Sequence, residues 1–262
     1  MGGPLVFAHR GASYDLPEHT LAAYLRALDE GADGLECDVR LTRDGHLVCV
    51  HDRRLDRTSN GRGLVSARTL AELEALDFGS WHPGGAPNGD LPPDESHTRL
   101  LTLARLLDAV LAAGRPVRLL VETKHPSRYG SNVERRLVAL LRRYGLADPA
   151  PDDPVQVTVM SFSPLAVRRV HELAPALPTV LLLEVLPPWL RLGRLPFGTR
   201  IAGPGIGLVR ARPQLLPALR AAGNQVYVWT VNDPADLELV LAAEVDGIIT
   251  DRPAHVLARR DG

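Results

Sequence analysis

The chain has 262 residues, 45% of them apolar and 23% charged, the composition of an ordinary globular protein. Thirty basic residues against 31 acidic ones leave a formal net charge of −1, which excludes the basic surplus of a general nucleic-acid or anionic-membrane binder. About 250 residues is also the usual size of one α/β barrel.

Residues 1–8 lack a basic region and hold only a short apolar run from Leu5, so they do not read as a secretory leader. Gly2 lacks the Ser or Thr that a myristoylation signal needs, and no apolar stretch is long enough for an integral membrane segment. The expectation is a cytoplasmic protein. The first strand, Leu5–Ala8, runs into His9-Arg10-Gly11, and a helix follows over Glu18–Glu30. A second strand, Gly34–Val39, continues upward and folds back. The runs Leu35–Leu41 and Leu47–Asp52 flank Arg43-Asp44-Gly45-His46, and Asp-Gly between such runs signals a tight hairpin. Gly79–Pro93 holds four Gly and four Pro in 15 positions, a loop or small capping insertion within residues 78–98.

Beyond it, helices read over Thr102–Ala113, Val133–Tyr144, Pro164–Leu173, Pro213–Ala222 and Pro234–Ala242. They alternate with strands at Val117–Thr123, Gln156–Ser161, Thr179–Glu184, Ala202–Leu208, Gln225–Thr230 and Gly247–Thr250. The weakest point is Leu186–Arg200, where a helix is due but Pro187, Pro188, Gly193 and Pro196 intervene. Eight strands in βα alternation predict a (β/α)8 TIM barrel, an α/β fold filling residues 1–262 as one domain. A doubly wound open sheet is the alternative, since alternation alone does not show closure.

Side chains two apart in a strand share a face, so Glu36 and Asp38 point together. Inside a barrel two unpaired carboxylates would be very costly. Near the C-terminal mouth a hard cation, Mg²⁺ or Ca²⁺, would offset them; on an edge strand they would simply be solvated. If Asp44-Gly45 are the two central turn residues, Arg43 faces His46 and Asp38 faces His51, which brings an imidazole to the carboxylate pair. The same register puts Cys37 and Cys49 on opposite faces and out of step. That argues against a bridge and fits a reducing compartment. Two cysteines are in any case too few for a disulfide framework or a thiolate zinc site.

Three strand ends then converge on one barrel face: His9 and Arg10, Glu36 and Asp38, and Glu122 with Lys124, the only lysine among 30 basic residues. Trp229, ending the seventh strand, would either wall a substrate there or simply pack at the rim. Gly203-Pro204-Gly205-Ile206-Gly207 is mis-spaced for a dinucleotide fingerprint, and no P-loop, G-x-S-x-G elbow or H-E-x-x-H is present.

The run His9-Arg10-Gly11-Ala12 with Pro17-Glu18-His19-Thr20 closely resembles the opening motif of the glycerophosphodiester phosphodiesterases. So do Glu36-x-Asp38-Val39-x-Leu41-Thr42-x-Asp44-Gly45, Val50-His51-Asp52 and Glu122-Thr123-Lys124. Ser161-Phe162, Val228 to Asn232 and Gly247 to Pro253 look like the later signatures, so the resemblance spans nearly the whole chain. It implies a barrel and one divalent cation, Mg²⁺ or Ca²⁺. It also implies hydrolysis of a small glycerophosphodiester to glycerol 3-phosphate and an alcohol. His9 and His51 would be the acid/base pair, and Glu36, Asp38 and Glu122 the metal ligands. Arg10 and Lys124 would contact the phosphate, and Trp229 the glycerol side. His19 departs from the Asn that many cytosolic relatives carry. Alternatives are a lysophospholipase D-type or other phosphodiesterase on the same barrel, or an inactive binding domain. The acids alone would also suit a metal-dependent isomerase or aldolase barrel.

Overall fold

The computed structural model describes residues 3–85, 95–187, 190 and 193–262. Along it run β1 (Leu5–His9), α1 (Leu21–Asp29), β2 (Gly34–Leu41), β3 (Leu47–Cys49), α2 (Leu70–Glu74), α3 (Glu95–Thr98) and α4 (Leu103–Leu111). There follow β4 (Val117–Thr123), α5 (Asn132–Arg143), β5 (Val155–Ser161), α6 (Pro164–Leu173), β6 (Thr179–Leu183), β7 (Ile201–Pro204) and α7 (Ile206–Ala211). The last elements are α8 (Leu215–Ala221), β8 (Gln225–Val228), α9 (Pro234–Ala242), β9 (Gly247–Thr250) and α10 (Pro253–Asp261). All strands but β3 are parallel and close into a barrel. Closure falls on β1, which pairs β2 through Phe7 and Gly34 and pairs β9 through Leu5 and Gly247. The open-sheet alternative is thereby excluded. β3 lies outside the barrel, antiparallel to β2. Among the described residues no helix is long and apolar enough to cross a membrane.

Helices begin where the sequence supplies a cap. The side chains of Thr20, Thr102, Ser163 and Asp233 each accept a hydrogen bond from a first-turn backbone N–H that the helix itself cannot satisfy. Pro164 and Pro234 open α6 and α9 as the sequence predicts. On α5 the buried Val133, Leu137, Val138 and Leu141 recur at helical spacing and form the face laid on the barrel. The strand expected over Ala202–Leu208 is shorter, because Gly205 caps α7 immediately after Pro204. Residues 86–94 of the expected insertion, and residues 188, 189, 191 and 192 of the Leu186–Arg200 stretch, lie outside the described residues.

The barrel interior is built on the period of two. Phe7, Leu120, Met160, Leu182, Tyr227 and Ile249 pack inside it. Gly34 lets this floor close, since a Cβ there would lie 2.6 Å from the Phe7 ring and 2.4 Å from the Arg118 carbonyl oxygen. Two residues further along the same strands, the inward positions are His9, Glu36, Glu122, Phe162, Glu184, Trp229 and Asp251. An apolar floor thus gives way to a polar mouth within one step per strand.

The hairpin differs from expectation by one residue. Gly45 N–H donates to the Thr42 carbonyl (3.2 Å) and Thr42 N–H to the His46 carbonyl (3.0 Å), with Gly45 at φ 84°. This is a three-residue loop whose last member is left-handed, a conformation that glycine adopts without strain. Val39 therefore pairs with Cys49, and Val50 N–H donates to the Asp38 carbonyl, so Asp38 faces Val50 and not His51. The same shift corrects the cysteines. Cys37 and Cys49 lie on one face, both buried free thiols in contact, in the core outside the barrel with Leu35, Val39 and Leu41.

Candidate active site

His9, Arg10, Glu36, His51, Glu122, Lys124 and Trp229 line one cavity of about 320 Å³ at the C-terminal mouth. That size suits a small-molecule site. Asp38 sits beside it, covered by Lys124, Arg10 and His19. All the site residues read from the sequence are therefore in one place.

Glu36, Asp38 and Glu122 are buried, and one carboxylate oxygen of each lies within 4.8 Å of the others. Their environments push them apart. Burial raises Glu36 well above the usual carboxylate range, with repulsion from Asp38 adding to it. Burial and the same neighbour lift Glu122 to about 8. For Asp38 burial works upward too, but Lys124, the His19 hydrogen bond and Arg10 outweigh it and hold the carboxyl well below its ordinary value. The Lys124 ammonium stands 2.9 Å from Glu122 Oε1 and 3.3 Å from Asp38 Oδ1. Arg10 Nε is 3.1 Å from Asp38 Oδ2, an ion pair by distance that is not aligned as a hydrogen bond. Arg10 has φ 58° and His19 φ 62°, so both are held in a strained left-handed backbone at the site.

Each histidine of the cavity is backed by a carboxylate. His9 Nδ1 lies 2.6 Å from Asp251 Oδ1, and Asp251 is itself held by the Ser13 hydroxyl (2.9 Å) and by Asn232. His51 Nδ1 lies 2.7 Å from Asp52 Oδ1. This assigns the Nδ1–H tautomer to both rings and leaves each Nε2 free of that bond. Burial lowers His51 to about 4, helped by the positive charges of Arg10 and Lys124, so the ring is neutral near pH 7. His51 reaches the cavity although its ladder position is shifted, because β3 ends at Cys49 and the chain turns there. The Arg40 guanidinium fixes that turn by donating twice to the His51 carbonyl, at 2.9 and 2.6 Å.

Behind the cavity a chain of ion pairs runs from Asp52 through Arg57 and Glu18 to Arg10. It holds Glu18 at about 2, with burial opposing and the Arg57 hydrogen bond and the Arg10 charge prevailing. On the opposite wall the rings of Phe162 and Trp229 meet edge to face with centroids 5.3 Å apart, and Trp229 Nε1–H donates to the Gly203 carbonyl at 2.7 Å. His19, buried between Asp38 (3.0 Å) and the Tyr24 hydroxyl (2.8 Å), orients Asp38 from behind. Sequence reasoning did not single out Asp52, Asp251, Glu184 or Arg40. Strand parity could have found Glu184 and Asp251, two places beyond the inward Leu182 and Ile249. The contact of Asp52 with His51 depends on the turn.

A closed barrel with paired imidazoles, a carboxylate cluster and two cations at its mouth defines a hydrolase that acts on an anionic ester. The model of the glycerophosphoryl diester phosphodiesterase family matches residues 9–255. The chain belongs to this family of phosphoric diester hydrolases. It is 51% identical over 257 residues to probable glycerophosphodiester phosphodiesterase 1 of Mycobacterium tuberculosis, covering 98% of this chain and 92% of that protein. With the glycerophosphodiester phosphodiesterase of Bacillus subtilis it shares 35% identity, over 95% of this chain and 84% of the relative. Among solved structures, a phosphodiesterase of Oleispira antarctica in complex with the product sn-glycerol-3-phosphate superimposes with a TM-score of 0.82. That match has 26% identity and covers 99% of this chain and 98% of the other.

Proposed function

We propose that the protein hydrolyses glycerophosphodiesters to glycerol 3-phosphate and an alcohol, using His9 and His51 for proton transfer and one divalent cation, Mg²⁺ or Ca²⁺. The observation that carries this reading is the convergence of two carboxylate-backed imidazoles and three buried carboxylates on one cavity. The product held by the Oleispira antarctica relative supports glycerol 3-phosphate as the retained fragment.

The donor set fits a hard cation. Among the described residues, the three buried carboxylates have only the Lys124 and Arg10 charges close by, and the Glu36 side chain has no ion-pair partner nearer than His9 Nε2 at 4.0 Å. Glu36, Asp38 and Glu122 would hold the ion, which would supply charge compensation for the phosphate oxygens. Arg10 and Lys124 bind the anionic phosphate and offset the charge that grows on it during reaction. Trp229, with Phe162, walls the glycerol. One imidazole accepts the proton of the nucleophile as its oxygen bonds to phosphorus. The other, entering the step with a proton on Nε2 as well, donates that proton to the alcohol oxygen as its bond to phosphorus breaks. The nucleophile is water, or the adjacent glycerol hydroxyl followed by water acting on a cyclic phosphate; the two routes are separated by trapping that cyclic product.

Glycerophosphocholine hydrolysis, followed by release of glycerol 3-phosphate, tests the reading. Activity is expected to vanish on chelation, to return with Mg²⁺ or Ca²⁺, and to fall by about 10³-fold or more in His9→Ala and His51→Ala. Full activity under chelation, or in both variants, would overturn it.

A further inference from the structure

Beside the cavity, and sharing Lys124 with it, is a shallow cleft whose polar lining is Arg40, Arg53, Ser66, Lys124, Ser127 and Arg128. Among the described residues no carboxylate lines it. Among the described residues Arg40, Arg53 and Arg128 have no carboxylate within salt-bridge distance. Arg40 is the inward position that follows Glu36 and Asp38 on β2, one step above the carboxylate cluster, and it is half-buried. Its Nε and Nη2 are taken by the His51 carbonyl, which leaves Nη1 without a partner. The Ser127 hydroxyl accepts from Tyr129 N–H (3.2 Å) and keeps its own proton to donate, and the Ser66 hydroxyl makes no hydrogen bond among the described residues.

We propose that this cleft is a second anion subsite, which receives a phosphate carried on the alcohol half of the substrate. The proposal rests on the hydrolase reading above and narrows it to a substrate class. With glycerol against Phe162 and Trp229 and the scissile phosphate at Lys124, the alcohol leaves on the side of Arg40 and the β2–β3 hairpin. An alcohol bearing a phosphomonoester meets three guanidinium groups without a carboxylate partner among the described residues, and two hydroxyl donors, there, whereas a quaternary ammonium meets like charge. The enclosed part of the cleft measures only about 20 Å³, so the anion rests on its open lip between the arginine side chains.

The test compares kcat/KM on glycerophosphoglycerol, the same diester bearing a terminal phosphate, and glycerophosphocholine. The full-length wild type and the R53A/R128A double variant are each measured in low and high salt. The terminal phosphate is expected to raise kcat/KM about tenfold over glycerophosphoglycerol in wild type. That ratio is expected to fall towards one in the double variant and in high salt. Because each ratio is taken on a single preparation, loss of folded protein does not alter it. A ratio of one or less in wild type, an unchanged ratio in the double variant, or a preference for the choline ester would overturn the subsite while leaving the hydrolase reading intact. Hydrolysis of none of the three diesters would overturn both.

Discussion

His9 and Asp251 stand 242 positions apart in the chain, yet His9 Nδ1 lies 2.6 Å from the Asp251 carboxylate. The contact exists because β1 and β9 are neighbours in the closed barrel, with Ala8 beside Thr250. A carboxylate there fixes the ring's tautomer and orientation. Asp251→Asn is therefore expected to lower kcat by about 10²-fold with KM little changed and the fold intact. Steady-state kinetics beside a thermal melt check this, and a change confined to KM would contradict it.

Lys124 fills the space between Glu122 and Asp38 at 2.9 and 3.3 Å, a fit for a compact ammonium. The planar guanidinium of Lys124→Arg is larger and differs in reach. Its kcat/KM is expected to drop by about tenfold or more with an unchanged circular dichroism spectrum. Wild-type kinetics in that variant would mean that the single lysine carries no catalytic weight.

Divalent-ion affinity is expected to rise with pH up to about 8. In the metal-free protein Glu122 holds its proton to about 8 and Glu36 is also raised, so binding an ion expels protons. Each proton released gives about a tenfold gain in affinity per pH unit below that point. Calorimetric titrations at pH 6, 7 and 8, in buffers of different ionisation enthalpy, measure both affinity and proton release. A pH-independent affinity would contradict the arrangement.

Glu18, held at about 2 by Arg57 and Arg10, has a folded-state pKa below its unfolded value. The stability it contributes is present above about pH 4.5 and is lost as pH falls through about 2. With Arg57 half exposed, screening reduces that contribution to about 2 kcal/mol. Glu18→Gln is expected to lower stability at pH 7 by about that amount and to flatten the acid limb between pH 4.5 and 2. Urea unfolding across that range shows whether it does.

Most of the site was legible locally. Glu36 and Asp38, then Glu122 and Lys124, obey a period of two that any strand imposes, so their common face followed once the strands were placed. The hairpin was placed correctly but its register was not. Whether the turn has two or three residues depends on the left-handed Gly45, and that single residue decides what faces Asp38 and which face Cys49 takes.

By itself, then, the sequence determined the strand and helix order, the caps, and the inward parity that lines up the acids, because each is a property of neighbours within a few residues. Tertiary structure alone decided that the sheet closes, that Asp251 meets His9, that the turn after β3 swings His51 into the cavity, and that three arginines beside it have no carboxylate partner among the described residues. Those relationships join elements far apart in the chain, where geometry comes from packing around a shared core and not from local backbone preference.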